Sequence, residues 1–299
     1  MPGYIMHLVE AEQVLRKLER QTGIQAEESW RSRYLLGALL PDTKTGAEKQ
    51  QSHFWTEETL QKLARAPHLP LFLEKYKTSL SDPVVFGYLV HLHLDSCYVN
   101  GYWPSVFSLQ NDAGEPEEGY EQVTRIWLKK QKQLVDRQVF FTKDWYYGDY
   151  SALNHYLIRK YHIELPAYPP AVPFGVSIEE AKETELAALL KRLKHYLQEA
   201  DVQQLPDEGR PVRQLYNLQQ KADVQQSTDG SRPVRQLHNL QQEADVQQST
   251  GGGREGQMSQ TQMPSLKVLD LPALEQFLEE TASALVQEYG HLWMGRSMR

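Results

Sequence analysis

Apolar residues recur at helical spacing along most of the first 200 positions of the chain. In "AEQVLRKLERQTG" Val14, Leu15 and Leu18 share one face, and Gly23 supplies the stop. "EESWRSRYLLGALL" is a second helix, halted by Pro41. "TEETLQKLARA" opens on a Thr cap, "APHLPLFLEKYKTSL" follows, and "SDPVVFGYLVHLHLDSCYV" carries a Ser-Asp-Pro start signal. The pattern predicts further helices in "EQVTRIWLKKQKQLVDRQVFF" and, after Gly148 breaks the chain, in "DYSALNHYLIRKY" with Asp149 as its cap. No convincing period-2 run stands out, so the expected fold class is all-α. "IELPAYPPAVPFGVS" is too proline-rich for a helix and is expected to drape over the surface before the helix "SIEEAKETELAALLKRLKHYLQEA".

The character changes at residue 201. "DVQQ" begins at 201, 223 and 245, and "RPVRQL" at 210 and 232, which is a tandem duplication with a period of 22. Each unit is Gln-rich, contains Gly or Pro and offers few apolar side chains, so a flexible insertion is expected rather than a solenoid. The helical pattern returns in "LPALEQFLEETASALVQEYGHLW". The predicted organisation is a helical metal-binding domain over 1–200, low-complexity repeats over 201–262, and a C-terminal helix within 263–299 that packs on the main domain.

Composition narrows the function. With 299 residues, 40% of them hydrophobic, a sizeable core is affordable to the chain. A formal net charge of -7 argues against a stable nucleic-acid complex, although a metal-lined cleft still admits one phosphate group. Cys97 is the single cysteine, which excludes an intramolecular disulfide and fits a reducing compartment; it is expected in the core. The first residues read as no signal peptide and no run reaches the length of a transmembrane helix, so the expected location is cytoplasmic.

One apolar stretch contradicts its own pattern. "GYLVHLHLD" puts His91, His93 and Asp95 into what otherwise reads as a buried helix. His91 and Asp95, four apart, share a face, while His93 points nearly the opposite way and is expected to pack or to support rather than to ligate. A buried carboxylate beside an imidazole is costly unless paired or bound to a cation. Asp42, just beyond a proline-terminated helix, His53, directly before the Thr56 cap, and His7 near the chain start bring the set to three imidazoles and two carboxylates, which suits zinc or a similar divalent metal. Singly, each residue is equally well read as a hydrogen-bonded core group or a turn cap. His155 and His162 read as members of a partly solvated helix, and His68, His195, His238 and His291 as surface or packing residues. Trp55, Tyr98, Tyr102 and Trp103 either pack in the core or wall a cleft.

The order "MPGYIMH", "LLGALLPD", "SHF" and "GYLVHLHLD" resembles the zinc-dependent phospholipase C family, whose superfamily includes zinc-dependent single-strand nucleases. The resemblance spans roughly the first 165 residues. It implies an all-α fold with metal ions held by His and Asp at the bottom of a cleft. Asp42, His53, His91 and Asp95 would then be the main ligands, with Asp95 bridging towards a second metal at His7. It also implies one to two zinc ions, metal-activated water attacking phosphorus, Asp42 accepting the proton, and a small phosphoester or phospholipid head group as substrate. In that family the N-terminal amine ligates as well, which would here be Pro2 after Met removal. A third metal is not expected, because the family's downstream His and HxxxE pair are not recognised. HExxH and His-Asp signatures of other metal hydrolases are absent. The competing reading is a non-catalytic helical protein in which one metal clips the N-terminal segment to the helix carrying His91 and Asp95.

Overall fold

The computed structural model describes residues 2–202 and 263–294. The expectation of a flexible Gln-rich insertion over 201–262 falls almost wholly outside the described residues. Two long helices open the chain: α1, Tyr4–Thr22, closed by Gly23 in the left-handed region (φ 72°), and α2, Glu28–Leu39. Pro41 converts the end of α2 into a tight turn, Leu40–Thr43, and short helices α3, Lys49–Ser52, and α4, Glu57–Leu60, follow. α5 is Leu69–Tyr76. The centre of the molecule is α6, Pro83–Cys97, started by the Asp82 carboxylate accepting the Val84 N–H at 2.9 Å with Pro83 at its first position. Every residue from Pro83 to Asp95 is buried. A π-turn, Tyr98–Tyr102, leads into α7, Trp103–Val106.

Glycines set how closely α2 and α6 approach. A Cβ at Gly37 would meet the Val84 carbonyl oxygen at 2.2 Å, and one at Gly87 would meet the Tyr34 carbonyl at 2.0 Å. Only hydrogen fits at both positions, and the resulting contact brings the α2 backbone within reach of α6 side chains.

The fold is mostly helical but not all-α. β1, Phe107–Gln110, β2, Arg125–Leu128, and β3, Gln133–Asp136, form an antiparallel sheet in the order β1-β2-β3, with Phe107 opposite Leu128 and Ile126 opposite Val135. The segment "EQVTRIWLKKQKQLVDRQVFF" is therefore a hairpin and not a helix. Ile126, Leu128 and Val135 are buried while their strand neighbours are less so, a period of two. The four-residue runs were too short to stand out, and Lys132 in the left-handed region (φ 51°) makes the turn without a glycine. The Asp136 side chain then caps α8, Arg137–Phe140.

α9 is Tyr146–Tyr161. Asp149 lies inside it rather than at its cap. Its Oδ1 accepts the Lys267 N–H at 2.9 Å, and its Oδ2 accepts the N–H groups of Val268 at 2.6 Å and Leu269 at 2.8 Å. The proline-rich stretch is irregular, and the helix after it, α10, is Leu186–Val202, starting well beyond Ser177. The segment held by Asp149 feeds α11, Leu271–Tyr289, and the short α12, His291–Met294. α11 packs along α1 through Leu274, Leu278, Ala282 and Leu285, and Trp293 meets Trp30 edge-on at 4.6 Å. These side chains join one continuous hydrophobic core with α1, α2, α6 and α9. Among the described residues, no helix is long and apolar enough to cross a membrane.

Glu10 on α1 is fully buried, and neither carboxylate oxygen has a hydrogen-bond partner among the described residues. Burial pushes its carboxyl well above the ordinary value, and Lys17 only partly opposes this. A group with a raised folded-state pKa loses stability as pH rises from its unfolded-state value towards its folded-state value. Glu10→Leu is accordingly expected to stabilise the protein at pH 7 by about 1–3 kcal/mol, by removing an unsatisfied polar group. The difference from wild type should shrink as pH falls towards the ordinary carboxylate range. Thermal melts of both proteins across that range check it, and a pH-independent loss in the variant would contradict it.

Candidate metal centre

Four elements deliver the site. His7 stands in the second turn of α1, Asp42 in the turn that ends α2, His53 at the C-terminal cap of α3, and His91 with Asp95 on one face of α6. The structure brings all five predicted residues together, and all are buried, Asp42 least so at 3% exposure. The imidazoles of His7 and His91 stack with centroids 3.6 Å apart and planes 9° from parallel. His91 Nε2 lies 3.4 Å from His53 Nε2 and 3.7 Å from Asp95 Oδ2, and His53 Nε2 lies 3.4 Å from Asp95 Oδ2 and 3.5 Å from Asp42 Oδ1. His7 Nε2 is 3.4 Å from Asp95 Oδ1 and 3.9 Å from Asp42 Oδ2.

The His91 ring is held in one tautomer, and the His53 ring is oriented by its neighbour. His91 Nδ1 donates to the Ala38 carbonyl at 2.8 Å, a contact that the Gly37–Gly87 approach permits, and this leaves the Nε2 lone pair pointing into the cluster. His53 Nδ1 pairs with Ser52 Oγ at 2.9 Å, which frees its Nε2 in the same way when the hydroxyl accepts. The Ser52 carbonyl accepts the Tyr88 hydroxyl at 2.5 Å and so anchors this turn on α6.

The electrostatics favour ligating forms. Burial, with His7 next to it, lowers the pKa of His91 to about 3, so its ring is neutral at neutral pH. Burial alone would raise both carboxyls, but the surrounding imidazoles overcome it at Asp95, which falls to about 2. At Asp42 the Lys49 ammonium and the nearby rings hold the carboxyl well below the carboxylate range.

The donor set fits a divalent cation on two further grounds. His7 Nδ1 and Nε2 and both Asp95 oxygens are buried without a hydrogen-bond partner among the described residues, a cost of about 1–3 kcal/mol per group that a bound cation would remove. Four bonds of roughly 2.0–2.2 Å in tetrahedral array place donor atoms roughly 3.3–3.6 Å apart. Four of the six spacings among His53 Nε2, His91 Nε2, Asp95 Oδ2 and Asp42 Oδ1, those of His53 to the other three and of His91 to Asp95, run from 3.4 to 3.7 Å, close to that range. Two overlapping triads, His7–His91–Asp95 and Asp42–His53–His91, could each hold a metal ion, with His91 common to both.

Sequence reasoning missed two members. Lys49 Nζ lies 2.9 Å from Asp42 Oδ1, and Ser52 orients His53. The signal for Lys49 was its position four residues before His53, which puts ammonium and imidazole on one side of a single helical turn. The HxxxE spacing does occur, at His53–Glu57 and His195–Glu199, so its absence is no ground for excluding a third metal. Glu57 is exposed in the first turn of α4, and the side chain of His195 lies outside the described residues.

The remaining candidates lie elsewhere. His93 packs against Cys97 and the Tyr289 ring, away from the cluster, and Cys97 is half-buried. His155 is buried on α9 rather than partly solvated, and His162 is exposed at the end of that helix. His68 caps α5 by accepting the Leu71 N–H at 3.3 Å. The Tyr98, Tyr146 and Tyr150 hydroxyls bond one another while Trp103 donates to Tyr146 at 2.9 Å, so Tyr98 and Trp103 chiefly build core. An edge of Trp103 lines a groove of about 740 Å³ with Val99, Phe107 and Leu109. The Trp55 ring lies 5.3 Å from the His53 ring, and the Arg65 guanidinium stands over Trp55 at 5.4 Å. No family model, no curated protein and no solved structure matches this chain.

Proposed function

We propose that this protein is a zinc-dependent phosphoester hydrolase of the phospholipase C type. The observation that carries the reading is the interlocked, buried set of two carboxylates and three imidazoles with donor atoms 3.4–3.9 Å apart. His53, His91, Asp95 and Asp42 would hold one zinc, and His7 with the second oxygen of Asp95 would hold another. Bound divalent metal would supply an acidified water and offset charge on a phosphoryl oxygen. The protein's own groups do the rest. Ala38 fixes the His91 tautomer, Ser52 orients the His53 ring, and the apolar walls of α1, α2 and α6 exclude bulk water. Asp42 is assigned to accept the proton of the attacking water at Oδ2, the oxygen that Lys49 does not engage.

The burial of all five side chains favours a second reading, a metal that clips α1, α3 and α6 together without catalysis. Elemental analysis of protein purified without chelator, followed by hydrolysis assays on nucleotide, phospholipid and small phosphoesters, separates the two. The expected result is one to two equivalents of zinc and hydrolysis that chelator abolishes. Metal without hydrolysis of any phosphoester supports the clip, and no metal together with no thermal stabilisation by added zinc overturns both.

A further inference from the structure

Arg65 is a cation without an anion among the described residues. Its guanidinium stands over the Trp55 ring at 5.4 Å from the centroid and over the Tyr120 ring at 5.6 Å, and its Nε donates to the Lys62 carbonyl at 3.2 Å. Neither Nη meets an acceptor there, and neither is sealed from solvent. Burial lowers the pKa of this half-buried group, and no carboxylate offsets the effect. A second guanidinium shares the tyrosine. Arg137 stands over Tyr120 at 4.8 Å and donates one Nη to the Tyr120 carbonyl, and it too forms no ion pair among the described residues.

The backbone holds this arrangement. Leu63 N–H donates to the Glu118 carbonyl at 2.8 Å and Tyr120 N–H to the Gln61 carbonyl at 2.7 Å, which pins the segment of Arg65 beside that of Tyr120. Arg137 N–H donates to the Thr124 carbonyl at 2.9 Å and so brings in the first residue of α8. Three carboxylates close by along the chain are turned to other donors. Glu118 pairs with Lys62 at 3.2 Å, Glu117 accepts the N–H groups of Glu118 at 2.8 Å and Gly119 at 2.9 Å, and Asp136 caps α8. Two guanidiniums against one ring with no counter-charge repel each other, and Arg65 is partly desolvated as well. Rings that already fix a fork reduce the ordering that a ligand must impose on it. The unfilled Nη pair of Arg65 matches two oxygens of one oxyanion, and two positive charges favour a doubly charged one.

We propose that Arg65, with Arg137 beside it on the Tyr120 ring, is a recognition site for a phosphate-class dianion, either free phosphate or a phosphomonoester. Arg65 takes two oxygens through its Nη groups, and Arg137 supplies the second charge. The site goes beyond the metal reading and needs no access to the buried cluster, although Trp55 places it beside His53, 5.3 Å from that ring.

The test uses the full chain as purified, with inorganic phosphate and glycerol 3-phosphate as probes and chloride at matched ionic strength as the control. Calorimetric titration and thermal melts report binding, and metal content is measured in every sample. Wild type is expected to bind phosphate and to melt at a higher temperature in phosphate than in chloride. Arg65→Met keeps an aliphatic chain between the rings and is expected to bind phosphate about 10- to 100-fold more weakly, the usual loss for hydrogen bonds to a charged group, with unchanged metal content. In chloride it is expected to melt no lower than wild type, because it removes an uncompensated charge. Arg65→Lys keeps the charge without the fork and is expected to recover only part of the affinity. Tighter binding of glycerol 3-phosphate than of phosphate assigns the site to a phosphomonoester, and the reverse order assigns it to the free ion. Unchanged phosphate affinity in Arg65→Met overturns the proposal, as does equal stabilisation of wild type by chloride or a wild type that takes up no phosphate. Phosphate binding that a chelator removes and Arg65→Met leaves intact also overturns it, and places the anion on the metal instead. Should Arg65→Met fail to fold, Arg65→Gln gives the same comparison. Failure of any of these leaves the metal reading to its own elemental analysis.

Discussion

His91→Ala is expected to empty the metal site, and His93→Ala, two positions away on the same helix, is expected to leave it filled. His91 belongs to both triads that could hold an ion and is one of the four groups assigned to the first zinc, so its loss leaves that zinc with three donors. Its Nε2 stands 3.4 Å from His53 Nε2 and 3.7 Å from Asp95 Oδ2. Zinc affinity should fall by more than about 100-fold, because a tetrahedral shell cannot be completed from the remaining groups. The stability that metal adds should go with it, about 4 kcal/mol at zinc concentrations near 1,000 times the dissociation constant. The Ala38 carbonyl also loses its donor. His93 instead faces Cys97 and Tyr289 of α11. His93→Ala should cost about 1–3 kcal/mol in lost packing and leave the zinc content of the folded protein unchanged. Metal analysis after dialysis and thermal melts with and without zinc measure both effects. Equal metal loss in the two variants would refute the assignment of ligands to one face of α6.

The second large effect is expected far from the metal and does not depend on it. Asp149→Ala should loosen the attachment of the C-terminal helix. The Asp149 carboxylate accepts three consecutive backbone N–H groups, of Lys267, Val268 and Leu269, and is itself 4% exposed. No alternative acceptor replaces it in the alanine variant, and the Val268 and Leu269 groups are buried. Each orphaned donor costs about 1–3 kcal/mol, and because the three share one backbone segment the total should be about 3–5 kcal/mol. That corresponds to a melting temperature lower by about 6–20 °C for a domain of this size. Hydrogen exchange should show α11 opening before α6, since Leu274, Leu278, Ala282 and Leu285 can leave α1 together. Asp149→Asn keeps one acceptor oxygen and should lose about half as much. A loss below about 1 kcal/mol in Asp149→Ala would show that the segment is held by its apolar contacts alone.

Much of the helical frame was legible because its signals are local. Asp82-Pro83, Thr56, Gly23 and Pro41 act through backbone geometry within a few residues, and each marks the boundary it was expected to mark. The hairpin was not legible. Its strands are four residues long, its turn uses Lys132 instead of glycine, and Ile126, Trp127 and Val135 satisfy a helical period over so short a span. Asp149 was misread for the opposite reason: a sequence shows which side chain can cap, but its partners here come from residues more than a hundred positions away.

The same division runs through the site. The i, i+4 spacing of His91 and Asp95 by itself determined that they share a face and that His93 does not, since helical rotation fixes side-chain direction. It also exposed the anomaly of charge in an apolar run, and so proposed that something must compensate it. Only the tertiary structure decided that His7, Asp42 and His53 arrive at that face at 3.4–3.9 Å, because their approach depends on the close packing of α2 on α6 through Gly37 and Gly87. It alone decided that Lys49 joins them and that neither Asp95 oxygen has a hydrogen-bond partner among the described residues, for contacts between distant segments are set by the packing of the whole core and leave no period in the chain.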